Sequence, residues 1–274
     1  MNPRALAVWS VSGITIALAT GNPVYRLLVL LCALNLLVAL RRPDVSLRGL
    51  GLALLAAGLI ATAVTTLASH TGDHAFLVLP ASIPVLGGPL TLEAVFFGAS
   101  TGIGIAAAVL AAAPLSLVLM PNSLVDALPS ALARTGAAIG TALNMIPGIA
   151  RSATEIRDAQ RMRGWRPRRI RDWPDLAVPV VLTALESSIT LAEAMEARGY
   201  GSGARTHYGA VAWEWSDIAV CVVAPAAAIA FVVLRLTDVI GDWYPFPTIS
   251  VPPVNVFGVA CCLALALPAL VWRR

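Results

Sequence analysis

The chain has 274 residues, 58% of them hydrophobic and only 12% charged, with a formal net charge of +4 and a mean hydropathy of +0.80. A soluble domain carries about 25% charged residues, so this composition excludes an ordinary globular protein and places the chain in a bilayer. All 19 basic residues are arginine; with no lysine there is neither a Walker P-loop nor Schiff-base chemistry, and any ATP that drives this protein is hydrolysed by another chain.

The first residues, MNPRALAVWS, lack the small-residue cleavage pattern of a signal peptide, so the apolar stretch after them reads as a first membrane span. A membrane-crossing helix needs about 20 mostly apolar residues. Runs of that kind fall near 5–20, 24–40, 47–67, 92–119, 216–235 and 255–272. The first two are short and meet at Gly21, Asn22 and Pro23, a tight turn. The loop at 68–91, with Pro80, Pro84, Gly87, Gly88 and Pro89, either lies in the interface or dips into the membrane. The cysteines Cys32, Cys221, Cys261 and Cys262 sit inside apolar runs without ligand spacing, as small buried hydrophobes do.

Arginine placement orients the spans. Arg41, Arg42 and Arg48 follow the second run, eleven arginines lie between 120 and 215, and Arg273 and Arg274 are the last two residues. The loops at 68–91 and 237–254 hold none. Basic residues favour the cytoplasmic side, which predicts about six spans with both termini inside; only Arg26 and Arg235 fall near the outer ends. The expected organisation is an all-α polytopic membrane protein. It has N-terminal spans over 1–119, a cytoplasmic module over 120–215 and C-terminal spans over 216–274. The run 131–150 is apolar enough to resemble a span, yet Arg134 and Asn144 would need partners in hydrocarbon and Pro147-Gly148 interrupts it. It is read as a helix on or in the inner leaflet.

The module is periodic. Leu182, Leu185, Ile189, Ala192 and Met195 make the stripe of an amphipathic helix, with Glu186, Thr190 and Glu193 on another face. That helix reaches Ala197 and Arg198 and stops at Gly199. An earlier arm, with Ile149, Ala153, Ile156 and Ala159 as its stripe, reaches Met162 and Arg163 and stops at Gly164. Between them lies the basic, proline-broken WRPRRIRDWP. The two ends, AQRMRGW and AMEARGY, share Ala-x-x-x-Arg-Gly-aromatic, with their arginines 35 positions apart. One Arg-Gly at a helix end is an ordinary cap, since glycine suits the position after a helix and a basic residue suits the dipole. Two on successive amphipathic helices suggest tips that each present a guanidinium, whose planar fork binds carboxylates. Such tips suit acidic grooves on a partner.

RDAQRMRGW at 157–165, LAEAMEARGYG at 191–201 and the spacing between them resemble the transmembrane (T) component of energy-coupling factor (ECF) transporters, the EcfT/CbiQ family. The second motif matches that family's Ala-Arg-Gly outright; the first departs from it in having Met162 where alanine is common. The resemblance implies a non-catalytic scaffold whose two coupling helices dock on two cytoplasmic ABC ATPases and hold a membrane S-component that captures a vitamin or a transition-metal ion. It implies coupling roles for Met162, Arg163, Gly164, Ala197, Arg198 and Gly199. The alternative is another ABC-type membrane permease subunit with its own substrate pathway. No cofactor, metal or nucleic acid is expected. His70, Asp73 and His74 read as a solvated loop and His207 stands alone. The acidic residues Asp44, Asp73, Glu93, Asp217, Asp238 and Asp242 lie at span ends or in loops, which argues against a coupling-ion path.

Overall fold

The computed structural model describes residues 2–40, 47–69, 71–78, 89–117, 133–167, 172–200, 202 and 213–272. The chain divides into two compact units, Met1–Met120 together with Val211–Arg274, and Pro121–Ala210. The described residues are overwhelmingly helical, as an apolar chain must be in lipid, where every backbone polar group needs an internal partner. Outside the described residues lie Arg41, Arg42, the stretch 79–88 with Pro80 and Pro84, the basic stretch 168–171, Arg273, Arg274, His70 and His207.

In the first unit, α1 (Pro3–Ala19) and α2 (Pro23–Ala39) begin with the same device. The side chains of Asn2 and Asn22 accept the backbone N–H of Arg4 at 3.0 Å and of Val24 at 2.9 Å, and each is followed by proline. Proline there wastes no hydrogen bond, because a first-turn N–H has no helical acceptor. Three residues join the two helices, as the Gly-Asn-Pro turn predicts. Helix α3 (Leu47–Ala68) packs on α4 (Leu92–Leu117). A Cβ on Gly102 would stand 2.7 Å from the Gly58 carbonyl oxygen and one on Gly98 2.9 Å from that of Thr62, so side-chain-free positions let the two backbones touch. The hydroxyls of Thr62, Thr65 and Thr66 turn back onto carbonyls of their own helix.

Between α3 and α4 the loop contains two short antiparallel strands, β1 (Ala75–Val78) and β2 (Pro89–Thr91). They are a local departure from the all-helical expectation, in keeping with the strand preference of the apolar Phe76-Leu77-Val78. Helix α5 (Ala133–Met162) and helix α6 (Pro174–Ala197) belong to the second unit; α7 (Trp215–Leu236) returns to the first. The run expected at 255–272 is two helices, α8 (Val256–Ala264) and α9 (Leu267–Val271). Pro268 explains the break: it has no N–H for the ladder and its ring clashes with the carbonyl four residues back. The carbonyl of Leu265, freed at that break, accepts the indole N–H of Trp9 at 2.9 Å.

The core of this unit is drawn from α1, α2, α4, α7 and the α8–α9 pair. Trp9, Ile16, Tyr25, Leu36 and Phe231 are fully buried, and the rings of Tyr25 and Phe231 meet edge to face at 5.5 Å. Arg26 and Arg235, the two basic residues on the arginine-poor side, are held inside the unit. Arg26 Nη1 donates to Ser100 at 3.1 Å, and Arg235 pairs with Asp238 and Asp242. Partners of this kind are what a charge near hydrocarbon requires.

Candidate functional site

Among the described residues, four helices are able by length and composition to cross a membrane: Arg48–Ala68, Leu92–Ser116, Pro174–Ala197 and Trp215–Leu236. The third is α6, which the sequence reading places in the charged module. Its acidic residues are few enough that hydropathy alone does not separate it from a span. Helices α1 and α2, at 17 residues each, fall below that length.

The second unit is built on α5 and α6, which pack on each other. Pro147 does not interrupt α5 as expected. The helix runs through it, because an internal proline removes one ladder bond and long helical arms flank it on both sides. The Ser188 hydroxyl lies 4.0 Å from Met145 Sδ, marking one point of contact between the two helices. From there α5 continues about 27 Å to Arg163 and α6 about 15 Å to Arg198, at about 1.5 Å per residue. No residue of α6 is buried. Of the apolar stripe read from the sequence, Leu182, Leu185 and Ile189 are more than half exposed, Ala192 is exposed and Met195 half-buried; with Val178 and Val181, also more than half exposed, they leave this unit an open apolar face.

Both helices end the same way. After Met162, the N–H of Gly164 donates to the carbonyl of Arg161 at 3.0 Å and that of Trp165 to Gln160 at 2.9 Å. After Ala197, the N–H of Gly199 donates to Glu196 at 2.8 Å and that of Tyr200 to Met195 at 3.0 Å. This is the Schellman arrangement, formed twice with matching offsets. It needs a left-handed residue after the cap, and the two glycines supply it with φ of +86° and +75°. Arg163 and Arg198 are therefore cap residues, each fixed one position before the chain reverses.

All six residues named from the sequence are exposed, with Met162 at 85%. Among the described residues, neither Arg163 nor Arg198 forms an ion pair within the chain. The aromatic that follows differs in setting: Tyr200 is exposed, whereas Trp165 is half-buried and its indole nitrogen has no hydrogen-bond partner. Two guanidiniums at capped, exposed helix ends, without an ion pair among the described residues, can each take a bidentate carboxylate from outside the chain. The cap is backbone chemistry and leaves the side chains free to do so.

A Gly199→Val change is expected to fray the last turn of α6. A residue with a Cβ costs roughly 1–2 kcal/mol in the left-handed conformation, and a β-branched one more. Amide exchange at Tyr200, whose N–H closes the cap, should quicken, with Gly199→Ala milder. Unchanged exchange in the valine variant would show that the cap does not depend on glycine.

The family model described as CbiQ, cobalt transport protein, matches residues 1–208, a stretch that contains both helix ends. The chain belongs to the CbiQ family. An energy-coupling factor transporter transmembrane protein, EcfT, of Lactobacillus helveticus (strain DPC 4571) is 34% identical to it over 87 residues, 29% of this chain and 31% of that relative. The match thus spans under a third of the relative's length. Membership in the CbiQ family, with helices long and apolar enough to cross a bilayer, makes this chain a multi-pass membrane component of a transport system.

Two acidic residues have settings that sequence did not reveal. Glu93, in the first turn of α4, is fully buried, with Oε1 2.7 Å from Nδ1 of His74. The histidine read as part of a solvated loop thus partners a buried carboxylate. Asp217, in the first turn of α7, is also fully buried, and neither of its oxygens has a hydrogen-bond partner. The positive end of the helix dipole favours a carboxylate at both places. Among the described residues, no group of three or more His, Cys, Asp or Glu side chains is arranged to hold a metal ion.

Proposed function

We propose that this chain is the energy-coupling transmembrane scaffold of an ECF-type ABC importer. Helices α5 and α6 form its cytoplasmic coupling module, Arg163 and Arg198 dock in acidic grooves of two ABC ATPases, and a membrane S-component carries the substrate. The observation that carries this reading is the duplicated helix end, with the same cap twice and an exposed guanidinium without an ion-pair partner among the described residues each time. An isolated cap would leave such repetition unexplained.

Three features support the reading. The chain has no lysine for a P-loop of its own, so the energy comes from a partner. Arginines crowd the stretch from 120 to 215 and are missing from the loops at 68–91 and 237–254, which supports a cytoplasmic place for α5, α6 and both termini and favours about six spans. Although α6 is apolar enough to cross a bilayer, Glu186 and Glu193 are exposed on it, and at membrane depth they would need partners. Its open apolar stripe suits burial against another protein or the leaflet surface. Substrate choice, a vitamin or a transition-metal ion, then rests with the S-component.

The test is co-purification. The chain, tagged and extracted in mild detergent from its own source, should retain ABC ATPases through size exclusion. A folded, monodisperse chain that retains none would return the twin motifs to ordinary helix caps.

A further inference from the structure

The arginine-poor end of the first unit is stepped. The Ser100 hydroxyl donates to the carbonyl of Gly21 at 2.7 Å, so the tip of the α1–α2 turn stands level with Ser100 of α4. Helix α4 begins eight residues earlier, at Leu92, and therefore extends about 12 Å beyond that tip. Helix α3 extends with it, since Gly98 packs on Thr62. The residues from 49 to 68 of α3 carry no charge, enough to span a hydrocarbon core of about 30 Å. By contrast, 17 residues of α1 or α2 reach only about 25 Å. The core boundary on this side thus lies at the end of α3, and the polar turn Thr20-Gly21-Asn22 lies below it.

Irregular backbone at that depth is tolerated only where protein satisfies it. The segment between α7 and α8 does so. Asp242 Oδ1 accepts the N–H of Gly21 at 3.2 Å, the Asn22 amide donates to the carbonyl of Pro253 at 2.7 Å, and the Asn255 N–H donates to the Tyr25 hydroxyl at 2.7 Å. Midway, the carbonyl of Pro247 accepts the N–H of Asp73, just past the end of α3. The segment therefore rises from the turn at Asp242 to the boundary at Pro247 and sinks again to Asn255, filling the step. Its inner side is closed by Ile240 and Trp243, both buried. The charges that open it, Asp238 and Asp242, pair with Arg235, and none follows from 243 to 257. Yet Val251 is 89% exposed, Val254 56% and Val256 81%. In water these would form an apolar patch with nothing to cover it.

We infer that residues 239–255 form a re-entrant cap within one leaflet, sealing the α1–α2 turn and presenting Val251, Val254 and the adjoining Val256 to lipid acyl chains. The inference is independent of the coupling role. It is tested on the full chain, with its four cysteines replaced, in phosphatidylcholine vesicles. A nitroxide is placed singly at Val251, Val254, Val64 on the exposed side of α3, and Asp73 beyond its end. Oxygen should relax the labels at Val251 and Val254 more than a water-soluble nickel chelate does, as at Val64, with the ratio inverted at Asp73. Nickel-favoured relaxation at both valines, matching Asp73, would overturn the cap. If the cysteine-free chain does not fold, a benzophenone side chain at Val251 in the native-cysteine chain gives the same decision. A lipid adduct like that formed from Val64 supports the cap, and its absence overturns it.

Discussion

Charge reversal at Arg198 is expected to cut substrate uptake by at least roughly 30-fold while leaving the amount of protein in the membrane unchanged. Truncating one partner of a buried, hydrogen-bonded charge pair at an interface costs about 2–5 kcal/mol, because the other charge is left unpaired, and 2 kcal/mol corresponds to roughly 30-fold in binding. Reversal adds repulsion to that. The fold should not suffer. Arg198 is exposed, has no ion pair among the described residues, and its cap is closed by the backbone of Gly199 and Tyr200. The assay is uptake in a strain without a second copy of the gene, alongside membrane levels of the variant. Normal uptake by Arg198→Glu would mean that the helix end serves only as a cap. Arg163→Glu is expected to behave alike, because the two ends have the same geometry.

The largest loss of stability is expected from Trp9→Ala. The indole is 1% exposed, lies in the core and donates to Leu265 at the break between α8 and α9. Its removal leaves a cavity, typically about 3–5 kcal/mol for a large aromatic, and strands the Leu265 carbonyl, because the N–H four residues on, that of Ala269, donates to Ala266 instead. A fall of about 10 °C or more in Tm in detergent would agree with this. Trp9→Phe, which keeps most of the volume and loses the hydrogen bond, should cost about 1 kcal/mol. An alanine variant that melts with wild type would show that α8 and α9 do not depend on this contact.

Local chemistry was legible before any coordinates. The helix stops at Gly164 and Gly199 and the short turn at Gly21 each follow from a few adjacent residues, and the structure places them as expected; the Asn-Pro starts of α1 and α2 are equally local but were not read. The break at Leu265 was legible in principle from Pro268, but a hydropathy run passes over a single proline. What depends on distant residues stayed hidden. Arg26 finds Ser100 74 positions away, Asp242 finds Gly21 221 positions away, and burial of Glu93 and Asp217 depends on how whole helices assemble. Charge alone marked those carboxylates as surface groups at span ends. Helix α6 shows the opposite limit. Its apolar stripe was read from the sequence, yet no residue of the helix is buried, and a stripe that meets a partner and one that meets lipid have the same periodicity.

The central claim is that Arg163 and Arg198 are the contacts through which ATPases hold this scaffold. It is tested most directly by titrating the cognate ATPases onto the chain in lipid nanodiscs, comparing wild type with the Arg163→Glu plus Arg198→Glu double variant. Saturable binding to wild type is expected, with a Kd raised at least roughly 30-fold in the double variant and far-ultraviolet circular dichroism unchanged. Equal affinity for both chains would contradict it.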